Sequence, residues 1–381
     1  MMLSAPSEFR KEINTRLNAL KVLLNYKSGN DIAPFPGIVI LVMNEHCNQR
    51  CRICDIGRRV ESSFYYNSHF KNKGVMSRET FMAIVDSLKG HGSEIWFLAA
   101  EPLIYPDLLW AIDYASSCGI DSQITTNGFL LPDMVEDLAR KGIKRICLSI
   151  DAYSEELHDF IRDCPGSYRR VIDGLEMLIA AKKRLNKKRP YIFINTAISQ
   201  WNYDSLGKLI EKLSSYDIDG IILSHLQFLT EEAAALHTKT HQDFAVTGRN
   251  IQYSGREGIK IEVLFREIMA IKKKYGKYRI NITPPLETLE EMKVYYHCPD
   301  KYVNGHNICY MPWRYPHILA NGDVVVNYEC FSKTMGNINE QKLDSIWNGD
   351  RFRSFRRFIR KNSGSTPACW RCPMIYCGYK L

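Results

Sequence analysis

From residue 37 onward, short apolar runs alternate with amphipathic stretches, and this alternation limits the possible folds more than any other feature of the chain. GIVILVM from Gly37, EIWFLA from Glu94, SQITT from Ser122, KRICLSI from Lys144, YIFINTAI from Tyr191 and GIILSH from Gly220 are short and mostly rich in β-branched residues, as strands are. Helical stretches separate them. Ser77 is placed to cap one through Leu88, Pro106 opens another before Gly119, and others follow over 132–141, near Glu155, over 167–183 and over 203–214. Strands joined by helices of this length form parallel βαβ units with right-handed crossovers. Six units are too few to close an eight-stranded barrel, so the expectation is an open sheet or a partial barrel. Its chemistry belongs at the C-terminal ends of the strands.

Beyond the sixth strand, the stretch from Thr230 to Cys298 reads as helices. HILANGDVVVN then folds back at Asn321-Gly322, a two-residue hairpin signal. The division that follows is an N-terminal helical extension over 1–36, a barrel with a helical insertion over 37–303, and a smaller α+β domain over 304–381. Ser7 to Asn25 reads as a basic amphipathic helix that packs on the domain or lies against a membrane surface or partner.

No apolar run reaches the length of a membrane span, and the start of the chain has no continuous apolar core of a signal peptide. The expected location is the cytoplasm, where twelve cysteines are ligands more readily than disulfides. They are unevenly placed. Cys47, Cys51 and Cys54 stand as C-x3-C-x2-C directly after the first strand. A tetrahedral zinc ion would need a fourth ligand, and His46 is too close in sequence to Cys47 to share it comfortably. A [4Fe–4S] cluster held by three thiolates leaves one iron open, the mark of a catalytic site. Cys309 and Cys330 flank the hairpin, and Cys369 and Cys372 form a C-x2-C knuckle. Together they make a set of four suited to zinc or iron–sulfur. Cys118, Cys147 and Cys164 read as packing residues, which leaves Cys298 and Cys377 over.

The triplet, with Ile53 before its last cysteine, resembles the signature of the radical S-adenosylmethionine (SAM) superfamily, C-x3-C-x-φ-C after the first strand of a partial (β/α)6 barrel. The resemblance implies a cluster on Cys47, Cys51 and Cys54 whose open iron chelates SAM. It also implies cofactor contacts from Ile53, Ala100, Glu101, Asn127, Ser149 and Arg162. Ala99-Ala100-Glu101-Pro102 stands where the family has Gly-Gly-Glu-Pro, and alanine serves there if its φ is negative. CYMPW, NGDVVVNYEC, MGNI, SIWNGDRFRSFR and ACWRC are similar to the SPASM/twitch extension of such enzymes. That implies a second, auxiliary [4Fe–4S] cluster on Cys309, Cys330, Cys369 and Cys372. Only Cys377 lies beyond Cys372, so the shorter twitch form with one auxiliary cluster is expected.

The resemblance implies an oxidoreductase or epimerase that abstracts hydrogen from a sugar-like or aminocyclitol-like molecule, free or carrier-linked. Its electrons would come from a flavodoxin or ferredoxin. Cys298 or Cys377 would be the hydrogen donor in an epimerisation, and Asn195, Ser224 and His225 are candidate substrate contacts. A peptide-modifying maturase is the alternative within the class. A non-catalytic, metal-stapled nucleic-acid binder is the alternative outside it, weakly favoured by a net charge of +9. The same charge leans towards an anionic substrate. The stretch over 56–74 reads as a long irregular loop covering the site.

Overall fold

The computed structural model describes residues 6–244, 246, 255–276, 279–305, 307–331 and 333–377. The side chains of residues 6–15 and of Cys377 lie outside that description. Seven strands run parallel and side by side in chain order: β1 (Ile38–Leu41), β2 (Glu94–Phe97), β3 (Ser122–Thr126), β4 (Arg145–Ser149), β5 (Tyr191–Ile198), β6 (Gly220–His225) and β7 (Ile280–Thr283). On the other edge of β1, β8 (His317–Ile318) pairs in parallel, and β9 (Asp323–Val325) and β10 (Gly336–Asn337) continue antiparallel. The result is an open sheet of ten strands, a partial barrel extended by the C-terminal hairpin.

The period-two side-chain alternation of a strand divides this sheet into two faces. Val39, Leu41, Ile95, Phe97, Ile124, Ile146, Leu148, Ile192, Ile194 and Leu223 are fully buried in one apolar core beneath the helices. Alternate positions near the C-terminal ends, including Thr125, Ser149 and Asn195, are only partly buried and face an open cavity. The helices carry matching apolar stripes. In Leu131–Arg140 the buried residues are Leu131, Val135, Leu138 and Ala139, three- and four-residue steps along one face. Helix Ser167–Arg184 packs beside it through Gly174, where a β-carbon would come within 2.9 Å of the Leu131 side chain. Ser77, Ser154 and Thr230 cap their helices by accepting from the backbone N–H three residues on. Each such cap contributes about 1 kcal/mol.

Two expectations change. The stretch read as all helices contains β7, whose four residues add a seventh parallel strand beside β6. A run this short carries little periodicity, and only its partner strand makes it a strand. The 56–74 stretch is not an irregular loop. It holds helices Asp55–Arg58 and Phe64–His69, capped by Cys54 and Ser63, with Phe64, Tyr66, His69 and Phe70 buried. Lys73 further ties it to Asp323 at 3.1 Å. Among the described residues no helix is long and apolar enough to cross a membrane.

Candidate active site

The loop that leaves β1 carries Cys47, Cys51 and Cys54 onto the wall of a cavity of about 280 Å³ at the C-terminal end of the sheet. Ile53, Ala100, Asn127, Ser149, Arg162 and Asn195 line the same cavity. Each cysteine sulfur has a donor. Asn127 Nδ2 lies 3.8 Å from Cys47 Sγ, Arg162 Nη1 lies 3.8 Å from Cys51 Sγ, and the Gly57 N–H donates to Cys54 Sγ at 3.4 Å. Burial pushes all three thiols up, Cys54 to about 12, and Glu101 adds to the shift of Cys47. Thiolates here need a cationic centre between them, which a soft metal supplies. Among the described residues no three His, Cys, Asp or Glu side chains stand close enough to share one ion. The cysteines instead face a common space, the arrangement for a ligand larger than a single atom.

Among the described residues Arg162 is the one basic side chain lining the cavity. Its Nη2 approaches Asp151 Oδ2 to 2.7 Å, with the two side chains only 11% and 1% exposed. Neither Asp151 Oδ2 nor Arg162 Nε has an aligned hydrogen bond, so the contact is an ion pair with donor capacity left over. A buried guanidinium with a spare N–H beside Cys51 on the cavity wall is suited to a ligand's carboxylate. Asp151 is fixed in turn, its Oδ1 accepting from the Ala197 N–H at 2.9 Å.

Glu101 does not line the cavity. It is 1% exposed, and its carboxylate accepts from Thr126 Oγ1 at 2.6 Å, the Asn127 N–H at 2.8 Å and the Leu103 N–H at 2.9 Å. Its backbone N–H donates to the His46 carbonyl at 3.1 Å. Glu101 therefore joins the ends of β2 and β3 to the cysteine loop. Ala99 and Ala100 have φ of +69° and +48°, so the condition of negative φ is not met. The turn keeps the left-handed backbone that glycine would adopt freely, and the alanines carry it at a strain cost.

The C-terminal cysteines converge. Cys309, Cys330, Cys369 and Cys372 all line a second, enclosed cavity of about 30 Å³. Burial pushes each thiol up, and Cys372, Cys309 and Cys369 add to the shift of Cys330 as charged neighbours. Four thiols on one cavity, Cys309 and Cys369 buried and Cys330 and Cys372 half-buried, fit a fully cysteine-ligated cluster. The CxxC between Cys369 and Cys372 is braced by Arg371, whose guanidinium donates to the carbonyls of Tyr295 at 2.5 Å, Lys301 at 2.7 Å and Val294 at 2.9 Å.

Three candidates fall elsewhere. Ser224 Oγ donates to Asn195 Oδ1 at 2.9 Å and does not line the cavity. His225 is buried, with Nδ1 2.7 Å from the Tyr296 hydroxyl, and also stands off it. Cys298 ends helix Leu289–His297 and lines neither cavity. The Cys377 side chain is outside the described residues. Residues the sequence did not single out include Asp55, Asp151, Tyr328 and Glu329, all on the cavity wall beside Tyr65 of the stretch read as a cover. Of these, Tyr65 and Glu329 line both cavities. Glu329 had one signal, its position directly before Cys330.

This arrangement, an open α/β sheet with a three-cysteine loop at its first strand and a four-cysteine knot beside it, is that of a SAM-dependent iron–sulfur enzyme. The Radical SAM superfamily model matches residues 41–224, and the iron–sulfur cluster-binding SPASM domain model matches residues 309–373. The chain belongs to the radical SAM superfamily and carries a C-terminal SPASM domain, and its cofactors are SAM and [4Fe–4S] clusters. It is 31% identical to the AdoMet-dependent heme synthase of Methanosarcina barkeri over 41% of this chain and 42% of that one. It is 24% identical to the tungsten-containing aldehyde ferredoxin oxidoreductase cofactor-modifying protein of Pyrococcus furiosus, over 88% of this chain and 86% of that one. The first of these matches, like others of its kind, spans less than half the relative's length. In three dimensions the chain is similar to Streptococcus suis SuiB bound to S-adenosylmethionine, with a TM-score of 0.62 and 16% identity over 94% of this chain and 75% of that one. That likeness speaks to fold.

Proposed function

We propose that this radical SAM enzyme is an oxidoreductase that removes hydrogen from a carbon bearing a hydroxyl or amine, on a small or carrier-linked molecule. One observation carries the reading: Tyr65 and Glu329 form a wall common to the three-cysteine cavity and the four-cysteine cavity. A substrate against that wall has a hydrogen-abstracting centre on one side and an electron acceptor on the other. In this reading Cys47, Cys51 and Cys54 hold the SAM cluster, and Cys309, Cys330, Cys369 and Cys372 hold a single auxiliary cluster of the twitch type. Clusters bound there would supply one-electron chemistry, reductive cleavage of SAM at the first and uptake of the substrate's second electron at the other, with the accompanying proton passing to solvent.

The protein's own residues do the positioning. Arg162 neutralises the SAM carboxylate while Asp151 keeps the guanidinium in place. Asn127 and the Ala100 backbone, both fixed by Glu101, border the cofactor, and Ile53 and Ser149 shape its seat. A radical develops no charge for donors to stabilise, so control of the reaction lies in placement. Asn195 and Ala197, on the strand beyond Ser149, border the substrate end. Inversion would need a hydrogen donor at the radical carbon; of the two candidate thiols, Cys298 lines neither cavity and the Cys377 side chain lies outside the described residues, so the preference for oxidation rests on the shared wall alone. A flavodoxin or ferredoxin supplies the reducing electrons.

The test is product analysis in deuterated water with the anaerobically reconstituted enzyme. Oxidation gives a product two hydrogens poorer, with no solvent deuterium on the reacting carbon. A product at the substrate's oxidation level carrying one deuterium there is inversion, and overturns the proposal.

A further inference from the structure

We propose that Gln49 is a positioning residue for the SAM cluster: its side-chain N–H donates to the Cys51 sulfur, and Ser167 and His158 hold the amide in that orientation. This role rests on the reading of Cys47, Cys51 and Cys54 as the ligands of that cluster. Six side chains form a closed ring around it. Gln49 reaches Cys51 Sγ at 3.7 Å and Ser167 Oγ at 2.6 Å. His158 Nε2 lies 3.4 Å from the same hydroxyl, and His158 Nδ1 accepts from the Asp151 N–H at 3.2 Å. The Asp151 carboxylate pairs with Arg162, and Arg162 Nη1 closes the ring at 3.8 Å from Cys51 Sγ. Gln49 and Asp151 are 1% exposed, and His158 and Ser167 are fully buried.

The ring ties four elements together: the cysteine loop, the end of β4, helix Glu155–Arg162 and the start of helix Ser167–Arg184. His158 and Arg162 stand one turn apart on the same helix, so one element holds both arms. The Gln49 backbone is fixed as well. A β-carbon at Gly57 would come within 2.6 Å of the Gln49 carbonyl, an approach that glycine permits.

Protons in the ring orient the amide. A ring nitrogen that accepts carries no proton, so His158 is neutral, with its proton on Nε2 and directed at Ser167 Oγ. With Gln49 Nε2 also on that hydroxyl, Ser167 Oγ receives two N–H groups, and among the described residues its own O–H has no acceptor. A half-turn of the amide removes the mismatch. Gln49 Oε1 then accepts from the Ser167 O–H, Ser167 Oγ accepts from His158 Nε2–H, and Gln49 Nε2 faces the Cys51 sulfur. The opposite orientation suits a free thiol, whose S–H can donate to Oε1. A sulfur bound to iron has no proton to give and accepts instead. Ligation of a cluster therefore selects the donating amide, and Gln49, Ser167 and His158 all stay neutral. Cys51 then has two N–H donors, Gln49 and Arg162. Hydrogen bonds to the sulfurs of a cluster raise its reduction potential, because they favour the more negative reduced state.

The experiment uses the full chain, reconstituted anaerobically with iron and sulfide. A redox titration follows the electron paramagnetic resonance signal that responds to added SAM. Gln49→Met keeps the length of the side chain and removes the donor, and Ser167→Ala removes the hydroxyl that holds the amide. Each should shift the one-electron equilibrium five-fold or more towards the oxidised cluster, a fall of about 40 mV at about 59 mV per ten-fold. Ser167→Thr keeps the hydroxyl and should stay within two-fold of the unsubstituted protein. Leu138→Ala, in the apolar stripe of helix Leu131–Arg140, should lose stability without moving the potential, which separates tuning from a merely structural effect. An unchanged or raised potential in either Gln49→Met or Ser167→Ala, or loss of the cluster from both, overturns the inference. A SAM-responsive signal that survives in Cys51→Ala instead removes Cys51 as a ligand, and overturns the reading beneath it.

Discussion

Replacing Arg162 by leucine tests whether the cavity wall depends on a buried ion pair. The guanidinium and the Asp151 carboxylate are 11% and 1% exposed and 2.7 Å apart. An exposed pair would contribute about 0–1 kcal/mol, but removing one partner of a buried pair leaves an uncompensated charge and costs about 3–5 kcal/mol. After the change Asp151 keeps one backbone donor, Ala197 N–H at 2.9 Å, which is too little to hold a carboxylate in a dry wall. Arg162→Leu should therefore lose about 3–5 kcal/mol in anaerobic urea unfolding. Asp151→Asn combined with Arg162→Leu removes both charges and should recover more than half of the loss, an interaction energy of about 2 kcal/mol. Arg162→Lys should fall between them, because a compact ammonium lacks the fork that reaches Asp151 and Cys51 together. The affinity for SAM should fall in Arg162→Leu and stay low in the double variant, which separates the cofactor role from the structural one. A double variant as unstable as the single one would refute the argument that the stranded carboxylate is the origin of the loss.

Replacing Cys47, Cys51 and Cys54 by alanine should reduce bound iron from about eight to about four per chain and stop SAM cleavage, and replacing Cys309 and Cys369 should remove the other half and stop product formation. Iron and sulfide analysis checks both. Ala99→Gly and Ala100→Gly should each raise stability by about 0.5–1 kcal/mol, because the left-handed strain relieved is about 1–2 kcal/mol and the added chain entropy of glycine is about 0.5–1 kcal/mol. A fall in thermal midpoint would contradict this. Burial holds His69 near 4 and His317 near 3, both below the usual 6.5. The unfolded chain therefore binds more protons below pH 6.5. The stability these residues contribute is full above that value and falls as the pH drops towards their folded values, by roughly 2 kcal/mol for each between pH 6.5 and 5. Unfolding free energies across that range, compared with His69→Phe, measure the slope, and an unchanged slope in the variant would count against it.

Much of the chain's plan could be read without a structure. The six apolar runs became strands because each is β-branched, short and set between helix signals that the caps at Ser77, Ser154 and Thr230 make good. The seven candidate cluster cysteines stood out because thiol ligands recur at fixed close spacings, and spacing along the chain is what a sequence records. What depends on distant partners was hidden. β7 is a strand because β6 lies beside it, and β8 joins the C-terminal hairpin to β1 across more than two hundred residues of chain. Ala99 and Ala100 took left-handed φ against their own preference because Glu101, held by Thr126 and Asn127, fixes the turn from outside it. The wall shared by the two cysteine sites joins Tyr65 to Glu329, residues from separate elements that meet only when the hairpin docks. Local propensity and ligand spacing are properties of neighbouring residues, so the sequence determined the strands, the caps and the cysteine sets. Which side chains face one another across a cavity is a property of packing, and it was decided only by the tertiary structure.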